Sequence, residues 1–218
     1  MLLEIKKLCK YFYIKEHFYL DVKQIVAFKD INFSLKLGEK LNLKGANGSG
    51  KTTLVKTIAM LENYDNGEII FQNKLLKNLK FSEKQSLRND LILIMQNQKS
   101  ALNPYKNIKW HFEMLTKNYN VELDEKMLDD FYLDKSILNL YPHELSGGQA
   151  QIIGFLRGLL VNPKLLILDE ADAGLSKDAL KVFIKYCQNY QNSMILISHD
   201  KQIAEQICNV SYEMKINK

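Results

Sequence analysis

Little in this sequence points to metal or disulfide chemistry. Its 218 residues include three cysteines and four histidines. Cys9, Cys187 and Cys208 form neither a C-x-x-C pair nor an even set, which argues against a disulfide framework and for free thiols in a reducing compartment. His17, His111, His143 and His199 lack metal-ligand spacing. A net charge of +5 is spread along the chain without a polybasic block or an aromatic RNA-binding motif, so nucleic acid is not an expected partner. No apolar stretch reaches the length that spans a bilayer, and the N-terminus has no basic segment followed by an apolar run and a cleavage site. The expectation is a cytosolic polypeptide whose membrane role, if it has one, comes through partners. Internal repeats and low-complexity linkers are also missing.

What is present is a hydrophobic content of 46%, enough for one domain of this length to bury a sizeable core. The most informative stretch is Gly45-Ala46-Asn47-Gly48-Ser49-Gly50-Lys51-Thr52, which fits the phosphate-binding loop G-x-x-x-x-G-K-S/T. Glycines at 45, 48 and 50 let the backbone curl until its N–H groups converge on an anion. Lys51 can reach the β and γ phosphates of a nucleoside triphosphate, Thr52 can offer its hydroxyl to Mg²⁺, and the following helix, through Thr53 and beyond, presents its positive end. The pattern lies between a predicted strand, Lys40 to Lys44, and a predicted helix, Thr53 to Leu61, as the loop requires. Asn42 and Lys44 interrupt that strand, whereas a buried parallel strand should read as a nearly continuous apolar run.

Upstream, Leu3–Lys6 and Ile31–Leu35 alternate apolar and polar residues, which predicts antiparallel strands with one face in the core. Between them Lys10-Tyr11-Phe12-Tyr13 is an aromatic cluster that can be ordinary strand packing or a purine-stacking surface. Downstream, Asn66-Gly67 predicts a turn and Glu68–Phe71 a strand. Leu91–Met95 is an apolar run read as a strand buried on both faces, ending at Gln96. Residues 108 to 140 read as two or three helices that bury Trp110, Met114, Leu115, Met127, Leu128, Phe131 and Leu138. Tyr141-Pro142-His143-Glu144 breaks them, and Leu145-Ser146-Gly147-Gly148-Gln149 opens a helix running to about Leu160. Leu165–Leu168 is an apolar strand ending in Asp169 and Glu170. Ser176 or a neighbour caps the next helix, and Met194–Ser198 is a buried strand ending at His199-Asp200. A short helix, Lys201 to Cys208, and a strand near 212 to 216 follow. This alternation predicts an α/β fold with a three-layer phosphate-loop core.

In such folds reactive groups collect beyond the carboxyl ends of the parallel strands. Gln96, Asp169, Glu170 and His199 each follow such a strand. Asp169 is expected to hold Mg²⁺ with Thr52, Glu170 to polarise the attacking water, Gln96 to touch metal and water, and His199 to hydrogen-bond the γ phosphate. The helix start at Ser146-Gly147-Gly148-Gln149 is a second anion-binding candidate. A single molecule has no evident use for two, but two molecules packed head to tail could close one's serine and glycines over the triphosphate held by the other.

Together these segments resemble the nucleotide-binding subunit of an ATP-binding-cassette (ABC) transporter over nearly the whole chain. Gly45–Thr52 is similar to the phosphate loop, Gln96 to the Q-loop, Leu145–Gln149 to the signature motif, Leu165–Glu170 to the Walker B strand and His199 to the switch histidine. The resemblance implies an ATPase using ATP and Mg²⁺, with an antiparallel β subdomain and a helical subdomain. The core would comprise residues 1 to 95 and 160 to 218, and the helical subdomain with its signature region residues 97 to 159. Gly45, Asn47, Gly48, Ser49, Gly50, Lys51, Thr52 and Thr53 would hold the nucleotide, with Phe12, or Tyr11 beside it, stacking on adenine. The partners implied are integral membrane permease subunits, a second ABC ATPase of the same or different sequence, and an extracytoplasmic solute-binding protein, with this chain at the cytoplasmic face of the cell membrane.

Gln96–Pro104 and Tyr141–Gly148 resemble the bacterial oligopeptide, dipeptide and nickel importer group, and Ala171 after the two acids resembles its nickel importers. Three positions depart from the family pattern: Ala171 stands for the usual Pro, Ser176 for the Asp that ends the D-loop, and Ile152 for Arg in the signature helix. Ser176 and Ile152 raise the expectation of pairing with a different ATPase and of unequal composite sites. The alternative function is a soluble ATP-dependent switch without transport.

Overall fold

The computed structural model describes residues 1–14 and 23–216, so His17 lies outside the described residues. Strand β1 (Leu3–Ile14) and strand β2 (Lys23–Leu35) pair antiparallel, with Leu3 opposite Leu35 and Ile5 opposite Phe33. This is the register that the alternation of Leu3–Lys6 and Ile31–Leu35 requires, because a slip of one residue would turn Leu3 and Ile5 out of the core. Beyond Ile5 the register shifts, and Lys7 and Asp30 take left-handed backbone angles. Bulges of this kind bend a ribbon and re-aim its side chains. Here they redirect the aromatic end of β1.

Strand β3 (Lys40–Gly45) leads into helix α1 (Lys51–Ile58). Strands β4 (Asn66–Phe71) and β5 (Lys74–Leu75) complete a four-stranded antiparallel sheet in the order β2-β1-β4-β5. Helix α2 (Phe81–Asp90), which the sequence reading did not anticipate, buries Leu87 alone and leads into strand β6 (Leu91–Ile94). Helices α3 (Gln98–Ala101), α4 (Ile108–Tyr119), α5 (Lys126–Asp130) and α6 (Gly147–Val161) follow. Strand β7 (Leu165–Asp169), helix α7 (Lys177–Asn189), strand β8 (Ser193–Ile197), helix α8 (Lys201–Ile207) and strand β9 (Val210–Met214) end the described chain. The second sheet has five strands in the order β6-β7-β8-β3-β9, every adjacent pair parallel.

Strands β7 and β8 are buried at every residue, as apolar runs in the middle of a parallel sheet should be. Alternate residues of the two strands serve different cores. Leu165, Ile167, Ile195 and Ile197 pack with α1 and the antiparallel sheet, while Leu166, Leu168, Met194 and Leu196 pack beneath α6 and α7. A side chain such as Leu166 or Ile167, fully buried, contributes about 1.5–3 kcal/mol.

Two expectations need correction. The run Leu91–Met95 is expected to be buried on both faces, but the strand it forms, β6, ends at Ile94 and lies at the sheet edge, and Ile92 and Leu93 are only half-buried because one flank lacks a neighbouring strand. In the helical segment Leu128 and Phe131 are buried as expected, but Trp110, Met114, Leu115, Met127 and Leu138 are half-buried. The core face of α4 runs through Ile108, His111 and Phe112 instead. Two overlapping apolar stripes fit this helix, and packing selects the one whose Ile108 and Phe112 join the core that also holds Phe155 and Ile137.

The interrupted strand before the phosphate loop also has an explanation. Leu41 and Leu43 join the core with α1, whereas Asn42 and Lys44 face the other way and line a cavity of about 450 Å³ beside α8, with Glu205 and Glu213. β3 pairs with β8 only from Lys40 to Asn42, while its pairing with β9 continues to Gly45. The sheet has opened on one side where Lys44 appears, so the lysine is solvated. Among the described residues no helix is long and apolar enough to cross a membrane.

Candidate functional site

Between β3 and α1 the chain makes a loop that only glycine permits at two positions. Gly45 has φ +150°, and a Cβ there would sit 2.6 Å from Ser49 Oγ and 2.9 Å from the Met214 carbonyl oxygen. Gly50 has φ +88°, and its Cβ would meet the Ala27 carbonyl oxygen at 2.3 Å, so the loop is pressed against β2. We expect Gly50→Ala to destabilise the fold by about 2 kcal/mol through backbone strain and overpacking. Thermal melting checks this, with a fall in Tm of roughly 4–8 °C for a chain of this size.

Among the described residues no side chain caps α1, and no acidic residue occupies its first turn. Its leading N–H groups and positive dipole end are therefore free for an anion. Lys51 folds back over the loop, its Nζ donating to the carbonyl oxygens of Gly45 at 2.7 Å and Ala46 at 3.1 Å. Ser49 is buried inside the loop and its hydroxyl has no partner among the described residues.

Phe12 and the β2 residues Ile25, Val26 and Ala27 wall one side of a cavity of about 480 Å³. Asn47, Gly48, Gly50, Lys51, Thr52 and Thr53 form its floor, and Glu170 and His199 reach it from the ends of β7 and β8. The structure thus brings together residues up to 187 positions apart in sequence. Phe12 has Lys10 Nζ 4.8 Å from its ring centroid. Tyr11, one residue earlier, points to the opposite face of the sheet, where it lines a different cavity with Cys9 and Asp30. Of the two aromatic candidates, the cavity contains Phe12.

Asp169, the last residue of β7, is 4% exposed, and one of its carboxylate oxygens has no hydrogen-bond partner among the described residues. Burial pushes its pKa up; the Thr52 hydroxyl pulls it down, Glu170 raises it, and Lys56 and Lys51 lower it. An unsatisfied buried carboxylate oxygen next to a threonine hydroxyl and the phosphate loop is a donor set that suits Mg²⁺. Among the described residues no three His, Cys, Asp or Glu side chains cluster to cage a metal, so such a cation would depend on phosphate and water for its remaining ligands.

Glu170 adopts φ +54°, a left-handed conformation unusual for a residue with a side chain. The strain is held by its N–H, which donates to the Ile197 carbonyl at 2.9 Å, and by its own carbonyl, which accepts from Ala173 N at 3.1 Å. The result is that Glu170 turns toward the neighbouring strand end. There its Oε1 lies 2.8 Å from His199 Nε2. The glutamate side chain is 19% exposed and the histidine 61%, so the pair sits at the cavity mouth with the carboxylate on the inside.

Two groups of expected site residues lie elsewhere. Gln96 is exposed and does not line this cavity; Gln98 is the buried glutamine of that segment, donating from Nε2 to the Met95 carbonyl at 2.6 Å and packing on Gly154. Ser146, Gly147, Gly148 and Gln149 open α6 outside the cavity. The Ser146 hydroxyl accepts from Gln149 N at 3.1 Å, and the Gln149 amide oxygen accepts from Ser146 N at 2.8 Å, a reciprocal cap. Gly148 lies against Gly174, where a Cβ would be 2.8 Å from the Gly174 carbonyl oxygen.

The departures at 152 and 176 have local structural roles. Ile152 is buried in the core beneath α6, and Ser176 caps α7 by accepting from Ala179 N at 3.3 Å. Sequence reasoning passed over Asp172, whose carboxylate accepts from the Ser198 hydroxyl at 2.5 Å. The available signal was a third acid so soon after the paired ones at the end of an apolar strand.

The chain is similar to known proteins over most of its length. A family described as ABC transporter matches residues 28–173. The nickel import ATP-binding protein NikE of Escherichia coli strain K12 is 33% identical over 193 residues, covering 84% of this chain and 72% of that protein. NikE of Shigella flexneri is similar to the same extent. Among solved structures, the dimeric ATP-binding cassette MJ0796 bound to ADP and Pi aligns with a TM-score of 0.81 at 22% identity, over 100% of this chain and 97% of that one. A second structure of MJ0796, a dimeric bacterial ABC transporter cassette, aligns with a TM-score of 0.81 at 24% identity.

Proposed function

The chain belongs to the ABC transporter family and is an ATPase of it, and we propose that it powers an importer, taking up nickel or oligopeptides. The observation that carries this reading is the single cavity joining Phe12, the phosphate loop, Glu170 and His199. Import and nickel are supported by the relatives named for nickel import, and oligopeptides by the resemblance of Gln96–Pro104 and Tyr141–Gly148 to that importer group.

In this reading adenine stacks on Phe12 and the triphosphate lies across the loop N–H groups and the start of α1. Lys51 leaves the Gly45 and Ala46 carbonyls for the phosphates. Asp169 and Thr52 would hold Mg²⁺, and Gln96 would join them if the helical segment brought it to the cavity. The cation, when bound, neutralises charge that develops on the phosphate oxygens. Glu170 accepts a hydrogen bond from the attacking water, and His199, now 2.8 Å from Glu170, holds that carboxylate in place and turns to the γ phosphate.

A second cassette, identical or different, completes the site. Ser146, Gly147, Gly148 and Gln149 of one copy close over the phosphates of the other, which accounts for their position outside the cavity of their own chain. Permease subunits take up the resulting motion through the helical segment between Gln96 and Leu145 at the cytoplasmic face of the cell membrane, and an extracytoplasmic binding protein delivers the solute. The test is reconstitution. The tagged chain, recovered from detergent-solubilised membranes, should carry integral membrane subunits in fixed ratio, and vesicles made from that complex should accumulate nickel or a short peptide only with ATP. A chain recovered without any membrane subunit would favour the soluble switch.

A further inference from the structure

We propose that Asp172 is a positioning residue for hydrolysis: it clamps Ser198, and through that clamp holds His199 against Glu170. His199 lies in a three-residue connection between β8 and α8, and the residue on each side of it is tied down. Ser198 donates its hydroxyl hydrogen to Asp172 Oδ2 at 2.5 Å and accepts from Asp200 N at 3.0 Å. Asp200 caps α8 by accepting from Gln202 N at 2.8 Å and Ile203 N at 3.4 Å. His199 itself, 61% exposed, has one hydrogen bond among the described residues, to Glu170. Its aim is therefore set by its neighbours more than by its own packing.

The clamp depends on a single hydrogen. A second acceptor, the Asp200 carbonyl oxygen, lies 3.3 Å from Ser198 Oγ. A hydroxyl has one proton to donate, so the Asp172 carboxylate decides which way it points. Without that carboxylate the hydroxyl turns to Asp200, and the connection is left with the His199–Glu170 bond as its side-chain tie to the segment after β7. Keeping an acid here has a cost, since burial raises its pKa and Oδ1 has no partner among the described residues. Packing alone would favour an uncharged side chain at this place. Asp172 also begins the loop whose Gly174 abuts Gly148, so the clamp connects the signature helix start to the chain's own Glu170–His199 pair.

The inference rests on Glu170 and His199 acting together in hydrolysis, and the experiment separates the two claims. In the full-length chain, under conditions where the parent hydrolyses ATP, Asp172→Ala should lower kcat about tenfold with KM for ATP within about twofold, the size expected for a small displacement of a reacting group. Asp172→Asn, whose amide oxygen can still accept from Ser198, should recover most of that loss. Ser198→Ala, which also removes the acceptor for Asp200 N, should be at least as slow as Asp172→Ala, and the double variant should be no worse than Ser198→Ala alone, because the Asp172–Ser198 bond is already gone in it. A kcat for Asp172→Ala within about twofold of the parent, an Asp172→Asn as slow as Asp172→Ala, or a loss confined to KM would overturn the clamp. Glu170→Gln is run beside them. If it turns over normally, the hydrolytic reading and the clamp fail together; if it is inactive while Asp172→Ala is not, the clamp alone fails.

Discussion

Glu170→Gln is expected to leave ATP bound and to lower kcat by about a hundredfold or more, the scale of a removed catalytic base. The amide has nearly the shape of the carboxylate, so the left-handed backbone at 170 and its bond to the Ile197 carbonyl are undisturbed. Glutamine can also keep a hydrogen bond to His199 across the 2.8 Å gap, since either imidazole tautomer finds a partner in an amide. What the variant loses is the negative charge and basicity facing the cavity mouth. Glu170 contributes nothing to the floor on which the phosphates would lie, which explains why affinity should survive. The measurement is steady-state ATP turnover in the assembled complex, together with nucleotide titration of the same preparation. Near-normal turnover would remove Glu170 from the chemistry, whatever the affinity.

The parts of this arrangement legible in the sequence share one physical property: each is encoded by residues adjacent in the chain. The phosphate loop needs its glycines where φ is positive and the backbone is crowded, and it lies between a strand and a helix that the pattern predicts. β7 and β8 are legible because central parallel strands are apolar at every position, and their ends mark Asp169, Glu170, His199 and Asp200. What escaped was set by packing across the chain. The bulges at Lys7 and Asp30 reset the alternation of β1, so local pattern could not choose between Tyr11 and Phe12. The edge position of β6 and the choice between two apolar stripes on α4 depend on neighbours far away in sequence. The tie between Asp172 and Ser198 spans 26 residues and joins two strand ends. Gln96 and the Ser146–Gln149 helix start are a different case: motif spacing singles them out, but a single chain does not bring them to the cavity.

The second large effect is expected at Lys51. Lys51→Ala should weaken triphosphate binding by roughly ten- to a hundredfold, which corresponds to losing a charge-assisted hydrogen bond worth about 1.5–3 kcal/mol. Here the ammonium spans the loop, bonded to the carbonyl oxygens of Gly45 and Ala46. Those bonds are partly exposed, so water can replace them and the alanine variant should keep its melting temperature; a change beyond about 0.5 kcal/mol would mean the lysine braces the fold. A triphosphate offers the same ammonium a fully charged partner, and exchanging neutral carbonyls for phosphate is the source of the affinity that the variant forfeits. Lys51→Arg is not a conservative control, because a planar five-donor guanidinium does not fit a loop built to accept a compact point charge. The Glu170 and Lys51 variants therefore fail in opposite ways, one binding without turnover and the other stable but poorly bound. Titration with a fluorescent triphosphate separates them, and unchanged affinity in Lys51→Ala would mean that the loop around Gly45 and Gly50, however tightly folded, does not hold phosphate through its lysine.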